Sequence, residues 1–201
     1  MINAERLPRR VIVIGASAGG MMPLIDLCAA IPADIPAAVA VVVHLHPLHE
    51  SRLGSIMALH SAVKVVQTTE PRRMERGTVY VAPPDMHMQI VGDWIRFDRG
   101  PKAHYTRPAV DPLFTSAAKE YGSAVVGVLL SGRGQDGVAG LVAVKECGGI
   151  SLVQDPAEAE FPSMPQSAME RDHVDAVLPA ARLPAILMRL AEGAAIDDAG
   201  R

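Results

Sequence analysis

The chain has 201 residues, 49% of them hydrophobic and 20% charged, which is enough for one folded domain and too few for two of ordinary size. Nineteen Lys and Arg against 22 Asp and Glu leave a formal charge of -3, so the clustered positive charge of a nucleic-acid binder is missing. Seven aromatic residues leave few platforms for stacked bases. No run approaches the roughly 18 apolar residues of a membrane span, and the first ten residues are not followed by an apolar core with a small-residue cleavage site. The sequence therefore predicts a cytoplasmic protein with no nucleic-acid partner and no direct membrane insertion. Cys28 and Cys147 lie in apolar, helical-looking surroundings and read as two buried thiols in a reducing compartment.

After an N-terminal extension, residues 1–10, short β-branched runs recur at 11–14, 39–43, 63–67, 125–130, 150–153 and 176–178. Each is nearly all apolar rather than alternating, the mark of a strand buried on both faces. Between most of them lie stretches of helical period, at 22–31, 50–60, 110–121, 137–147 and 181–192. This alternation predicts a doubly wound, mostly parallel, Rossmann-like α/β sheet with helices on both faces. One segment breaks the rhythm. Residues 79–82, the pair Pro83 and Pro84, 86–91, a Gly92-Asp93 turn and 94–97 read as an antiparallel β-hairpin inserted at one edge. Residues 99–108 and 155–165 read as loops, and 193–201 as a flexible tail.

In an open α/β sheet, ligands gather outside the carboxyl ends of the strands. Three such ends carry chemistry. After the first strand comes G-x-S-x-G at 15–19, where small residues let the chain bend sharply and hold the Ser17 hydroxyl out. A phosphate-cradling turn or simple strand-to-helix packing with a serine cap is the competing reading. After the second strand comes His44, placed to take a serine proton. The run His44, His46, His49 also resembles the zinc-binding run of metallo-β-lactamase-type hydrolases, with His104, Asp136 and His173 as further ligands, although Leu48 stands where that pattern has an acidic residue. After the 125–130 strand, Gly132, Gly134 and Gly137 surround Asp136, which either orients the histidine ring or caps a helix. The order Ser17, His44, Asp136 is not that of the α/β-hydrolases. Among other polar residues, Asp111 starts a helix, His87 and His104 sit near the cleft in the hairpin and loop, and Met164 and Pro165 lie in a loop bordering the serine.

Together these stretches resemble the catalytic domain of the CheB-type chemotaxis protein-glutamate methylesterases. The matching segments are VIVIGASAGG (11–20), VVVHLHP (41–47), GTVYVAPPDMHM (77–88), RPAVDPLFTSAA (107–118), GVLLSGRGQDGVAGL (127–141), SLVQDP (151–156) and MPQSAM (164–169). The resemblance implies one catalytic domain over residues 11–192 that hydrolyses glutamate γ-methyl esters on the cytoplasmic helices of chemoreceptors and, in many members, deamidates glutamines. It implies Ser17 as nucleophile, His44 as general base and then acid, and Asp136 as the residue orienting His44, with no metal or organic cofactor. Backbone amides near Ala18, Gly19, Arg133 and Gly134 are implied around the oxyanion, with Met164, Pro165 and Arg107 lining the substrate site. The chain departs from the common pattern at Ala18, where Thr is usual, at Arg133, where Met is usual, and at Ser163, where Gly is usual. Typical members carry an N-terminal receiver domain, so a separate regulatory protein or constitutive activity is the expectation for this chain. The alternatives are a docking module of a signalling array with weak esterase activity and the zinc hydrolase.

Overall fold

The computed structural model describes residues 7–45, 51–171 and 174–196. Seven strands form a parallel sheet: β1 (Arg10–Ala16), β2 (Ala37–Val43), β3 (Lys64–Gln67), β5 (Thr78–Val81), β8 (Val125–Leu129), β9 (Ile150–Gln154) and β10 (Ala176–Leu178). Their order is β10-β9-β8-β1-β2-β5-β3. The direction in which strands are laid down across the sheet reverses at β1: the polypeptide moves from β1 toward β2, and later from β8, on the other flank of β1, toward β9. The crevice at the carboxyl ends of β1, β2 and β8 is therefore the switch point of a doubly wound sheet.

The apolar runs become strands because they are covered twice. Ile12 and Ile14 of β1 and Val39, Val41 and Val43 of β2 face one core. That core is filled by α1 (Met21–Ala30), α2 (Leu53–His60) and α6 (Leu183–Ala191), through residues such as Leu24, Leu27, Met57 and Leu187. Val11, Val13, Ala38, Ala40 and Val42 face the other core, built by α3 (Val110–Tyr121), α4 (Val138–Glu146) and α5 (Ser163–Arg171) through Leu113, Phe114, Leu141, Val144 and Met164. Alternate side chains of one strand thus enter opposite cores, which an uninterrupted β-branched run supplies. Among the described residues no helix is long and apolar enough to cross a membrane.

The segment expected as an edge insert divides in two. Its first part is β5, buried along its whole length between β2 and β3 in the main sheet. Its second part, β6 (His87–Val91) and β7 (Trp94–Asp98), joins β4 (Arg72–Arg73) in a separate antiparallel sheet that packs on α3. The Ser116 hydroxyl accepts from the Ile90 amide at 3.0 Å across that contact. Two further expectations are corrected. Met164 and Pro165 are buried in the first turn of α5, not in a loop, because a proline in the first turn removes no intrahelical hydrogen bond. Cys28 is buried, and burial pushes its thiol up to about 12, but Cys147 is exposed because α4 ends one residue before it.

Candidate functional site

The turn leaving β1 is pinned before any side chain is considered. The Ser17 amide donates to the Ser131 carbonyl at 3.0 Å, tying the end of β1 to the end of β8. The His44 amide donates to the Ala16 carbonyl at 3.2 Å, tying the end of β2 to the same point. Parallel pairing thus delivers residues from distant sequence positions to one edge. Gly19 bends the turn with φ +72°, a conformation L side chains rarely adopt.

Three side chains then form one chain of hydrogen bonds. His44 Nε2 lies 2.6 Å from Asp136 Oδ2, and His44 Nδ1 lies 3.0 Å from Ser17 Oγ. A carboxylate can only accept, so Nε2 carries the proton and the Nδ1 lone pair faces the serine hydroxyl, which donates to it. Asp136 does not cap the helix that follows it; Gly137 occupies that position. Its carboxylate reaches instead to the start of α3, where Oδ2 accepts from the Val110 amide at 2.7 Å and Oδ1 from the Asp111 amide at 2.9 Å. Burial opposes ionisation of this 1% exposed residue, but the His44 hydrogen bond and the two helix amides outweigh it and hold the carboxyl below its ordinary value of 3.8. The arrangement is a fixed anion, an oriented imidazole and a hydroxyl whose proton has somewhere to go.

A polar clasp absent from the sequence reading supports the serine turn. The buried Ser131 hydroxyl donates to the Ala18 carbonyl at 2.9 Å and accepts from the Phe161 amide at 3.0 Å. The Ser131 amide donates to Gln154 Oε1 at 2.8 Å, and Gln154 Nε2 in turn donates to Glu158. Ser163 Oγ donates to the Gly132 carbonyl and accepts from the Gly134 amide, each at 3.1 Å, so a serine braces the turn on both sides of Arg133. Within this frame the amides of Ala18, Gly19 and Arg133 find no hydrogen-bond acceptor among the described residues.

Gly132 has no room for a side chain. A Cβ there would overlap Met164 Sδ and stand 2.8 Å from Ser17 Cβ. Met164 is fully buried, so it supports the site from beneath rather than lining it. Gly132→Ala is expected to push the serine out of line with His44 and to lower activity about 100-fold, the scale of a misplacement near 1 Å. Paired turnover and thermal-melt measurements check this, with the activity loss exceeding what the stability loss explains.

The other expected residues have different occupations. Arg107 is a strap: its Nε and Nη2 donate to Asp85 Oδ1 at 3.0 and 2.7 Å, and its Nη1 to the carbonyls of Arg99 and Gly100. Asp111 lies in the first turn of α3, accepting from the Gly140 amide at 2.7 Å and from His104 Nε2 at 2.7 Å. His87 is buried, donating from Nε2 to the Pro101 carbonyl and accepting the Ala109 amide at Nδ1, a structural histidine. Of the residues suggested for zinc, His44 commits both ring nitrogens to Ser17 and Asp136, and His46, His49 and His173 lie outside the described residues. Ligand atoms of His104, Asp111 and Asp136 do lie within 4.8 Å of one another. In that trio His104 Nε2 is already hydrogen-bonded to Asp111, and the Asp136 oxygens already accept three N–H groups.

The family model described as CheB methylesterase matches residues 12–187. The chain belongs to the CheB methylesterase family. It is 34% identical over 180 residues to a Leptospira interrogans protein provisionally assigned as a protein-glutamate methylesterase/protein-glutamine glutaminase, covering 89% of this chain and 93% of that one. It is 38% identical to protein-glutamate methylesterase/protein-glutamine glutaminase 2 of Anaeromyxobacter dehalogenans, covering 90% of this chain and 53% of the relative. It thus spans about half the length of that relative. The crystal structure of the Thermotoga maritima CheB methylesterase catalytic domain superposes with a TM-score of 0.85 at 32% identity, over 90% of this chain and 98% of that one. The doubly wound fold and the family relationship therefore agree.

Proposed function

We propose that the chain is a protein-glutamate methylesterase that hydrolyses glutamate γ-methyl esters on the cytoplasmic helices of chemoreceptors, and glutamine side-chain amides by the same route. The observation that carries this reading is the unbroken hydrogen-bonded chain from Ser17 through His44 to Asp136, at the switch point of a CheB-family fold. A docking module has no use for a buried carboxylate, an oriented imidazole and a hydroxyl in register.

In this reading Ser17 Oγ attacks the ester carbonyl as His44 Nδ1 takes the hydroxyl proton. The amides of Ala18 and Arg133, with Gly19 and Gly134 giving the backbone its shape, receive the oxyanion; one such donor is worth about 3 to 4 kcal/mol. Collapse of the tetrahedral species breaks the C–O bond to methoxide, which takes the proton from His44 and leaves as methanol. Water then attacks the acyl-serine ester, giving its proton to His44, and the second collapse returns that proton to Ser17 and releases the glutamate carboxyl. With a glutamine, ammonia leaves in place of methanol. Asp136 stays ionised throughout and stabilises the imidazolium. The test is methanol release from a helical peptide bearing a glutamate γ-methyl ester: stoichiometric methanol and new carboxylate are expected, and a folded protein that releases none would refute the assignment.

A further inference from the structure

Arg133 stands at the rim of the site with an arrangement its neighbours fix. The backbone on either side is held by Ser163 Oγ, and the Gly132 amide donates to the Phe161 carbonyl at 2.9 Å while the Gly132 carbonyl accepts from the Met164 amide at 3.1 Å. The side chain is exposed, and its guanidinium carbon lies 4.3 Å from the centroid of the Phe161 ring. Phe161 is itself anchored through its backbone to Ser131 and Gly132, so ring and cation are both tied to the turn that abuts Ser17. Stacking uses the flat face of a guanidinium and leaves its in-plane N–H groups free to meet a carboxylate side-on. Arg133 forms no ion pair among the described residues.

Resting on the esterase reading of Ser17, we infer that the Arg133 side chain, propped on Phe161, is a carboxylate subsite that selects esters with an acidic group near the scissile bond. On a helical substrate that group sits on the same face, three or four residues from the esterified glutamate. A partly solvated pair of this kind is expected to favour the acidic substrate about three- to five-fold, acting on KM.

The experiment compares two helical peptides with one glutamate γ-methyl ester each, carrying Glu or Gln four residues away, and a pair of p-nitrophenyl esters with acidic or neutral acyl chains of equal length. The wild-type protein is expected to prefer the acidic member of each pair about four-fold, the preference shrinking as sodium chloride rises from about 20 to 300 mM. Arg133→Met is expected to bring the ratio close to one by raising KM for the acidic ester, Arg133→Lys to keep part of it, and Phe161→Leu to reduce it by loosening the guanidinium. A wild-type ratio near one, a ratio that survives Arg133→Met, or equal losses on both members would overturn the subsite. Should Arg133→Met fold poorly, Phe161→Leu and the salt titration decide in its place. Cleavage of the aryl esters with none of the methyl esters would refute the methylesterase reading while still deciding the subsite.

Discussion

Ser17→Ala is expected to lower turnover by about 10⁵- to 10⁶-fold while leaving the fold intact. Among the described residues the serine hydroxyl meets a single partner, His44 Nδ1 at 3.0 Å, whereas the turn is held by backbone: the Ser17 amide on Ser131 and the Gly20 amide on the Ser17 carbonyl. Alanine keeps both backbone bonds. One hydrogen bond to a partly exposed imidazole is worth about 1 kcal/mol, and water can replace it, so the melting temperature should move by only a few degrees. Turnover behaves differently because without Oγ no acyl-serine ester forms. Residual rate would come from the oxyanion donors and substrate binding alone. Labelling with a fluorophosphonate probe should disappear with the rate, and Ser17→Ala combined with His44→Ala should lose little more than Ser17→Ala alone, since groups acting as one unit are not additive. Near-normal methanol release by the folded Ser17→Ala protein would remove the serine from the mechanism.

The elements that position this serine were legible because their signal is local. Short, β-branched, all-apolar runs at 11–14, 39–43 and 125–130 read as strands covered on both faces, and in a doubly wound fold their carboxyl ends converge. Ser17, His44 and Asp136 could therefore be drawn together from sequence, and the hydrogen bonds between them follow. What misled was punctuation. Residues 79–82, followed by Pro83 and Pro84, read with the hairpin in sequence, yet burial on both sides makes Thr78–Val81 an interior strand of the main sheet. The acidic, proline-bearing stretch before α5 reads as loop through Pro165, although a first-turn proline is compatible with a helix. The clasp of Ser131, Gln154 and Phe161 carries no local signature at all. Its members are 23 and 30 residues apart, and each is an ordinary polar or aromatic residue until the sheet brings them into contact.

Asp136→Asn is the second large effect, and the geometry says why a nearly isosteric change is severe. Both carboxylate oxygens accept: Oδ2 from His44 Nε2 and the Val110 amide, Oδ1 from the Asp111 amide. An amide must place its NH2 at one of these positions. At the Oδ1 position the NH2 opposes the Asp111 N–H of α3, at a cost of about 1 to 3 kcal/mol. At the Oδ2 position it likewise opposes the Val110 N–H, and it donates to His44 Nε2, which shifts the ring proton to Nδ1 and turns the base toward Ser17 as a donor. The serine then has no proton acceptor, and turnover should fall about 10⁴-fold, the scale set by a reversed tautomer. Stability carries an independent signature. Folding depresses the Asp136 pKa, so the carboxylate contributes stability that is complete above its ordinary value of 3.8 and is lost as pH falls through the lower folded value. Urea unfolding of the two proteins should thus show the wild type ahead at neutral pH, with the gap closing below about pH 4. A gap that stays constant with pH would mean that the carboxylate charge is not what holds the start of α3 against the site.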